Sequence, residues 1–349
     1  MKDFVSMVSK INNFRKIFAN WISILIKLYN GEKLIRVTLR DKSDGICTKD
    51  CIIAIVNLVS KFNFSPLKFH FKEGRLYYDN SPIVIDTFSS VMISAGSFIK
   101  EGNLWKNNKY KVKFIDAITT GLFENFYIEQ YNTEIQGDVI DIGASIGDSA
   151  IYFALKGASH VYAFEPLPAV YKIALQNIKL NNLEDKITLI NAAVGSKEGT
   201  VKVPSSINIQ ESEGYSITNH GDVEVPLLSF NNIKKIAKDP DLLKIDCEGC
   251  EADIIFSTEL DFNKIFVESH ECVQQFHSPC CKRLYKVKNA LTHLSIVTLL
   301  ALCGKCLSIL ASLNFKLLNI CSTRFLLPKV SCSWLTPSVE SILYQGPPS

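Results

Sequence analysis

Asp141-Ile-Gly-Ala-Ser-Ile-Gly147 is the stretch whose reading decides the fold. It follows the short apolar run Asp138-Val-Ile140 and precedes Asp148-Ser-Ala-Ile-Tyr-Phe-Ala-Leu155, so it reads as a strand, a tight glycine turn and the first turns of a helix. A second strand, His160-Val-Tyr-Ala-Phe164, ends in Glu165-Pro166. That places a carboxylate about 20 residues beyond the turn, where a bound ribose needs a partner able to accept two hydrogen bonds. One βαβ unit thus carries both halves of a nucleoside site.

The glycine spacing separates two cofactor classes. A dinucleotide fold needs Gly-x-Gly-x-x-Gly so that backbone amides and a helix N-terminus meet a pyrophosphate. This turn instead has an acidic residue at the strand end and glycines four apart. That suits a cationic, phosphate-free cofactor approaching the backbone, and S-adenosylmethionine, with its sulfonium and ammonium groups, is such a molecule. A glycine turn by itself is as well explained by a tight connection that binds nothing. Glu165 at the next strand end weighs against that plainer reading.

Composition narrows the remaining classes. A chain of 349 residues, 47% hydrophobic, has room for one large domain with an appendage or for two modest domains, and is not disordered. A net charge of +3 with scattered lysines predicts no nucleic-acid partner. Eleven cysteines, with no segment built like a secretory signal, predict reduced thiols in a cytoplasmic protein. Phe14 to Tyr29 is apolar and aromatic but broken by Arg15, Lys16 and Lys27, and reads as an amphipathic helix. Packing on the catalytic domain is favoured for it, with a peripheral membrane contact kept as the alternative.

The chain divides into an N-terminal amphipathic helix (1–30), an accessory α+β region (31–113) and a large α/β domain (114–349). Leu34–Leu39, Leu67–Phe71 and Ile83–Asp86 read as strands, Cys51–Val59 and Ile115–Tyr131 as helical. In the large domain, strands and helices alternate: helix Ala169–Leu180 stopped by Asn181-Asn182, strand Ile187–Ile190, strand Leu242–Asp246, a helix from Glu251, and strand Lys264–His270. Thr200–Val203 and Val223–Leu227 form an added hairpin, with the polar segment Ser205–Asp222 able to cover a ligand. Such alternation predicts a parallel sheet with ligands at the carboxyl ends of its strands.

The C-terminal part, 272–349, is apolar and rich in cysteine. Leu291–Leu313 approaches the length of a membrane span, but His293 and Lys305 interrupt it, and a buried helix is the preferred reading. Phe315–Ile320 and Ser341–Tyr344 are then the last two strands. Cys303-x-x-Cys306, with Cys280 and Cys281 nearby, reads as buried small hydrophobes rather than a metal or redox site.

Three strand ends deliver acids to one rim: Asp141 from the first, Glu165 from the second, Asp246 with Glu248 from the fourth; the fifth adds Glu268 and His270. So many ionisable groups after apolar strands are costly unless solvated, paired or bound to ligand, which predicts a functional cleft. Ion pairing among these acids and Lys244 is the alternative.

Asp141-Ile-Gly-Ala-Ser-Ile-Gly-Asp148, Phe164-Glu-Pro-Leu-Pro168 with Asn177, Asn191-Ala-Ala193, and Leu243-Lys-Ile-Asp-Cys-Glu-Gly-Cys-Glu251 followed by Val267-Glu-Ser-His270 resemble, in order, the motifs of FkbM-type methyltransferases. The resemblance spans about residues 137–271. It implies a Rossmann-like class I methyltransferase fold, with a seven-stranded, mostly parallel sheet flanked by helices and, here, an N-terminal α+β accessory region. It implies methyl transfer from S-adenosylmethionine, commonly to an oxygen, with sugars and glycosylated metabolites as frequent acceptors. Carried over motif by motif, Asp141, Gly143, Ala144, Gly147 and Asp148 shape the cofactor turn, and Glu165 with Pro166 serves the ribose. Asn191 and Ala192 lie near adenine, and Asp246 and Glu248 face the methyl end. His270 is the candidate base, with Asp246 or Glu268 orienting it or taking the proton in its place. No metal is assigned. Ser145 stands where such proteins often have Asn.

Two other classes stay in view. A non-catalytic nucleoside-binding or membrane-associated scaffold has no evident use for Asp246, Glu248 and His270 together. A dehydrogenase is disfavoured by the missing Gly-x-Gly-x-x-Gly.

Overall fold

The computed structural model describes residues 11–217, 221–258 and 260–268. The chain forms two compact units, Met1–Gln130 and Tyr131–Ser349.

The first unit is built from local hairpins and short helices. Strands Leu34–Thr38 and Asp44–Thr48 pair antiparallel, with Val37 opposite Gly45. Helix Lys49–Ser60 follows, and its N-cap Thr48 accepts a hydrogen bond from the Cys51 amide. Two three-stranded antiparallel sheets flank helix Phe88–Ala95, which a reciprocal Thr87–Ser90 capping box starts.

Three expectations for this region are corrected. The helix Phe14–Tyr29 is broken: residues 11–17 are helical, Phe18 bridges to Leu39, and a second helix runs Trp21–Tyr29. Strand pairing wins there, because Ala19 N–H donates to Thr38 O and the Asn20 side chain bonds both Thr38 N and Arg36 O. Ile83–Asp86 is not a strand: Ser90 and Ser94 of the following helix take the Val84 carbonyl and amide. In place of a helix over Ile115–Tyr131, Ile115 closes strand Val112–Ile115, and one α-turn, Gly121–Phe123, leads into the π-turn Glu124–Ile128.

The second unit holds the site. Its strands are β1 (Asp138–Ile142), β2 (Val161–Phe164), β3 (Ile187–Ile190), β4 (Ala193–Gly195), β5 (Gly199–Val203), β6 (Val223–Ser229), β7 (Pro240–Ile245) and β8 (Lys264–Val267). Its main helices are α1 (Asp148–Leu155), α2 (Pro168–Leu180) and α3 (Glu251–Ser257). Among the described residues the central sheet has five strands, all parallel, in the order β3-β2-β1-β7-β8. The two further strands expected of a seven-stranded sheet fall at 315–320 and 341–344, outside the described residues, as does the apolar segment 291–313. The added hairpin is present as β5 against β6, and β4 joins β6 in parallel to complete a three-stranded sheet.

Every residue of β1 is buried, as expected for a parallel strand covered on both faces. The two-residue period sorts its side chains. Ile140 and Ile142 enter an apolar cluster with Phe164, Leu243, Ile245 and Ile254 of α3. Asp141 points to the other face, where Ser149 of α1 donates to it at 2.6 Å. The chain winds outward from β1 to β3, then returns to the far side of β1 for β7. The order therefore reverses between β1 and β7, and the crevice at the carboxyl ends of that pair is where open α/β sheets bind ligands.

Candidate functional site

The turn after β1 is set by backbone demands. Gly143 and Gly147 have φ of 82° and 84°, and Ser145 between them has φ 48°. Gly143 is required twice over, since a Cβ there would collide with the Asp246 carbonyl oxygen. The Gly143 and Ala144 amides both donate to Phe164 O, at 3.0 and 2.9 Å, tying the turn to the end of β2. The Asn177 side chain of α2 donates to Ile146 O at 2.9 Å and holds the far side.

Glu165 closes this turn from the second strand. Its Oε2 accepts the Ser145 amide at 3.0 Å and its Oε1 the Leu167 amide at 2.8 Å. Burial outweighs these bonds and the more distant Lys244, so its pKa is pushed up to about 7. Asn191 donates its side-chain amide to the carbonyls of Glu165 and Pro166, at 2.8 and 3.1 Å, and the Ala192 amide donates to Ile190 O.

From β7 comes Lys244, in register with Asp141 of β1 and buried with it. Its Nζ donates to Gly143 O at 2.6 Å and lies 3.2 Å from Asp141 Oδ1 and 3.5 Å from Asp246 Oδ2. Burial works against the ammonium, but Asp141, Asp246 and Asp148 outweigh it and hold its pKa above the ordinary lysine value. The expected alternative of ion pairing between Lys244 and the acids is thus present, and it forms part of the site's framework. The Asp246 amide donates to Ile142 O, and the Glu268 amide to Ile245 O, both at 3.0 Å. Backbone pairing therefore carries two candidate acids past the strand ends to the same rim as Gly143 and Glu165. Asp148 is buried in the first turn of α1. Glu248 is held at φ 56° in the loop beyond Asp246. His270 lies outside the described residues.

One expectation is overturned here. The cysteines were expected as free thiols, and Cys47 and Cys51 are buried thiols, but Cys247 and Cys250 form a disulfide. The turn between them brings the Cα atoms to 5.6 Å, within the ordinary span of such a bond. The signal was Cys247-x-x-Cys250 itself, overshadowed by the apolar Cys303-x-x-Cys306. Ser149 and Lys244 were the other residues whose contribution to the site the sequence left unassigned.

Comparison with known proteins adds to this geometry. Residues 141–305 match the methyltransferase FkbM domain. The matched stretch begins at Asp141, the acidic residue that opens the glycine turn, and takes in Glu165, Asn191 and the Asp246–Glu251 loop. Curated relatives include the ribosomal protein L11 methyltransferase of Carboxydothermus hydrogenoformans, 48% identical over 52 residues, which are 15% of this chain and 17% of that protein. Protein arginine N-methyltransferase 6 of Xenopus tropicalis is 23% identical over 173 residues, 47% of this chain and 49% of that one. The chain thus spans at most about half the length of these relatives. Among solved structures, an FkbM methyltransferase from Methylobacillus flagellatus KT is 24% identical, with a TM-score of 0.25, over 34% of this chain and 28% of that one. Among the described residues, no three metal-ligating side chains cluster as a metal site and no helix is long and apolar enough to cross a membrane.

Proposed function

We propose that the chain is an S-adenosylmethionine-dependent methyltransferase that methylates a hydroxyl oxygen of a sugar or glycoconjugate. The observation that carries this reading is the joining of the Gly143–Gly147 turn to Glu165 through the Ser145 amide, at the strand-order reversal of an FkbM domain. The residues fit the cofactor. Each Glu165 oxygen receives one backbone N–H and retains acceptor capacity for a ribose diol. The turn's glycines, at positive φ, let its backbone pass close against Asp246 and Ala174.

S-adenosylmethionine supplies an electrophilic methyl group when bound. The chain's part is to hold and align. Glu165 anchors the ribose, Asn191 and Ala192 border the adenine, and the turn from Asp141 to Asp148 receives the methionine part. The acceptor hydroxyl must lie in line with the methyl carbon and lose a proton as it attacks. Asp246, Glu248 and Glu268 border that side, and His270 follows Glu268 by two residues as the candidate base. Ser205 binds Asp222 through both its amide and its hydroxyl, at 2.7 and 2.6 Å, pinching the neck of the polar loop that would exclude water.

Titration with S-adenosylmethionine and, separately, with NAD tests the cofactor half. Saturable binding of the first alone is expected; a folded sample that binds NAD, or neither, sinks the reading. Transfer of a labelled methyl group to a saccharide panel tests the acceptor half. A second acceptor class, a protein side chain, is favoured by the relatives named for ribosomal protein L11 and for protein arginine. Label appearing in polypeptide but in no saccharide would establish it instead.

A further inference from the structure

Cys247 and Cys250 close a covalent ring around Glu248 and Gly249, directly after the candidate catalytic residue Asp246. Both ring residues have positive φ, 56° for Glu248 and 129° for Gly249, and Glu248 is a residue type that seldom adopts it. Two restraints hold them so. One is the disulfide. The other is Glu251, whose Oε1 accepts the Cys247 amide at 3.0 Å and whose Oε2 accepts the Gly249 amide at 2.9 Å.

The ring touches both walls of the site. On one side, a Cβ placed on Gly143 would meet the Asp246 carbonyl oxygen and lie 3.4 Å from Cys247 Cα, so the glycine turn leaves no room for a side chain where the ring begins. On the other, a Cβ on Gly249 would lie 3.2 Å from Ser216 Oγ of the polar loop. Both cysteines are half-buried, packed on one side against the apolar cluster of Ile245 and Ile254 and neither fully enclosed.

We propose that Cys247–Cys250 is a thiol–disulfide exchange site, and that its reduction by a small cellular thiol loosens the rim on which the cofactor rests. This inference rests on the methyltransferase reading for its functional consequence. A thiolate attacks one ring sulfur, forming a mixed disulfide and releasing the other cysteine as thiolate, which takes up a proton. A second small thiol attacks the mixed disulfide, freeing the first cysteine. Two electrons pass to the ring, and two small thiols leave as one disulfide. The opened loop keeps the Glu251 bonds but loses its covalent restraint, so the rim is in its binding-competent shape for only part of the time. If that part is about a tenth, apparent cofactor affinity falls about tenfold.

The test uses the full chain, with and without reduced glutathione. Peptide mapping after alkylation reports the state of Cys247 and Cys250, amide hydrogen exchange reports residues 142–147 and 247–251, and calorimetry reports S-adenosylmethionine affinity. Reduction is expected to speed exchange in both segments and to weaken binding about tenfold. A variant carrying both Cys247→Ser and Cys250→Ser should match the reduced protein and ignore glutathione. Unchanged exchange and affinity on reduction overturn the proposal. So does a double variant that still responds to glutathione, since the effect then comes from another cysteine. Faster exchange in a protein that binds no S-adenosylmethionine in either state upholds the exchange site and overturns the methyltransferase reading.

Discussion

Asp141 and Lys244 are register partners on adjacent parallel strands, buried side by side, with carboxylate oxygen and ammonium 3.2 Å apart. Because Lys244 also donates to Gly143 O, this one cation links the β1 strand end, the glycine turn and, 3.5 Å away, the Asp246 carboxylate. Removing it leaves an uncompensated buried charge, a change that costs about 3–5 kcal/mol. Lys244→Met is therefore expected to lower unfolding free energy by about that amount in urea denaturation. Adding Asp141→Asn should recover part of the loss, the signature of coupled neighbours. A Lys244→Met protein as stable as the parent would show that the pair contributes nothing net.

Gly143 and Gly74 separate conformational strain from collision. Their φ values are 82° and 75°, but nothing lies within 4 Å of a Cβ on Gly74, whereas one on Gly143 meets the Asp246 carbonyl. Gly74→Ala should cost only the left-handed penalty, about 1–2 kcal/mol. Gly143→Ala should cost on the order of 3 kcal/mol or more, because β1 and β7 must also move apart. Thermal melts of the two variants decide this, and equal losses would mean that the turn yields where the geometry says it cannot.

How far the sequence revealed this arrangement depended on the range of the interactions involved. The glycine turn, Glu165 and the strand ends carrying Asp246 and Glu268 were legible because strand, turn and helix periods are local. Ion pairing of Lys244 with the acids was legible as an alternative, but not its register with Asp141, since that depends on β7 crossing back to lie beside β1, and no residue pattern near Lys244 encodes which strand becomes its neighbour. The same limit broke the helix expected over Phe14–Tyr29. Its amphipathic pattern is intact, but Phe18 is claimed by Leu39 and Asn20 by the distant strand Leu34–Thr38. Cys247 and Cys250 were not singled out as a pair, and their bond follows from the turn at Glu248 and Gly249 that brings them face to face.

Glu165→Gln is expected to weaken S-adenosylmethionine binding about 10- to 100-fold, the worth of hydrogen bonds to a charged acceptor. A neutral amide keeps the shape but accepts more weakly and offers only one oxygen. Calorimetry on the variant, with its melting temperature as a check on folding, measures the effect. An unchanged affinity would move the ribose away from Glu165.

The same carboxylate predicts a pH dependence with a definite sign. In the folded chain burial raises Glu165 to about 7 from an ordinary 4.5, so between these values the folded state holds a proton that the unfolded state has lost. Its contribution to folding is therefore most favourable below 4.5 and declines as pH rises through about 7. Cofactor binding has the opposite slope. Ribose hydroxyls donate to the ionised carboxylate, so affinity should be fully developed above about 7 and fall as pH drops through it, approaching tenfold per pH unit well below. Titrations from pH 5.5 to 8.5 on the parent and on Glu165→Gln should give a sloping line for the first and a flat one for the second. A slope that persists in the variant would assign the titration to another group.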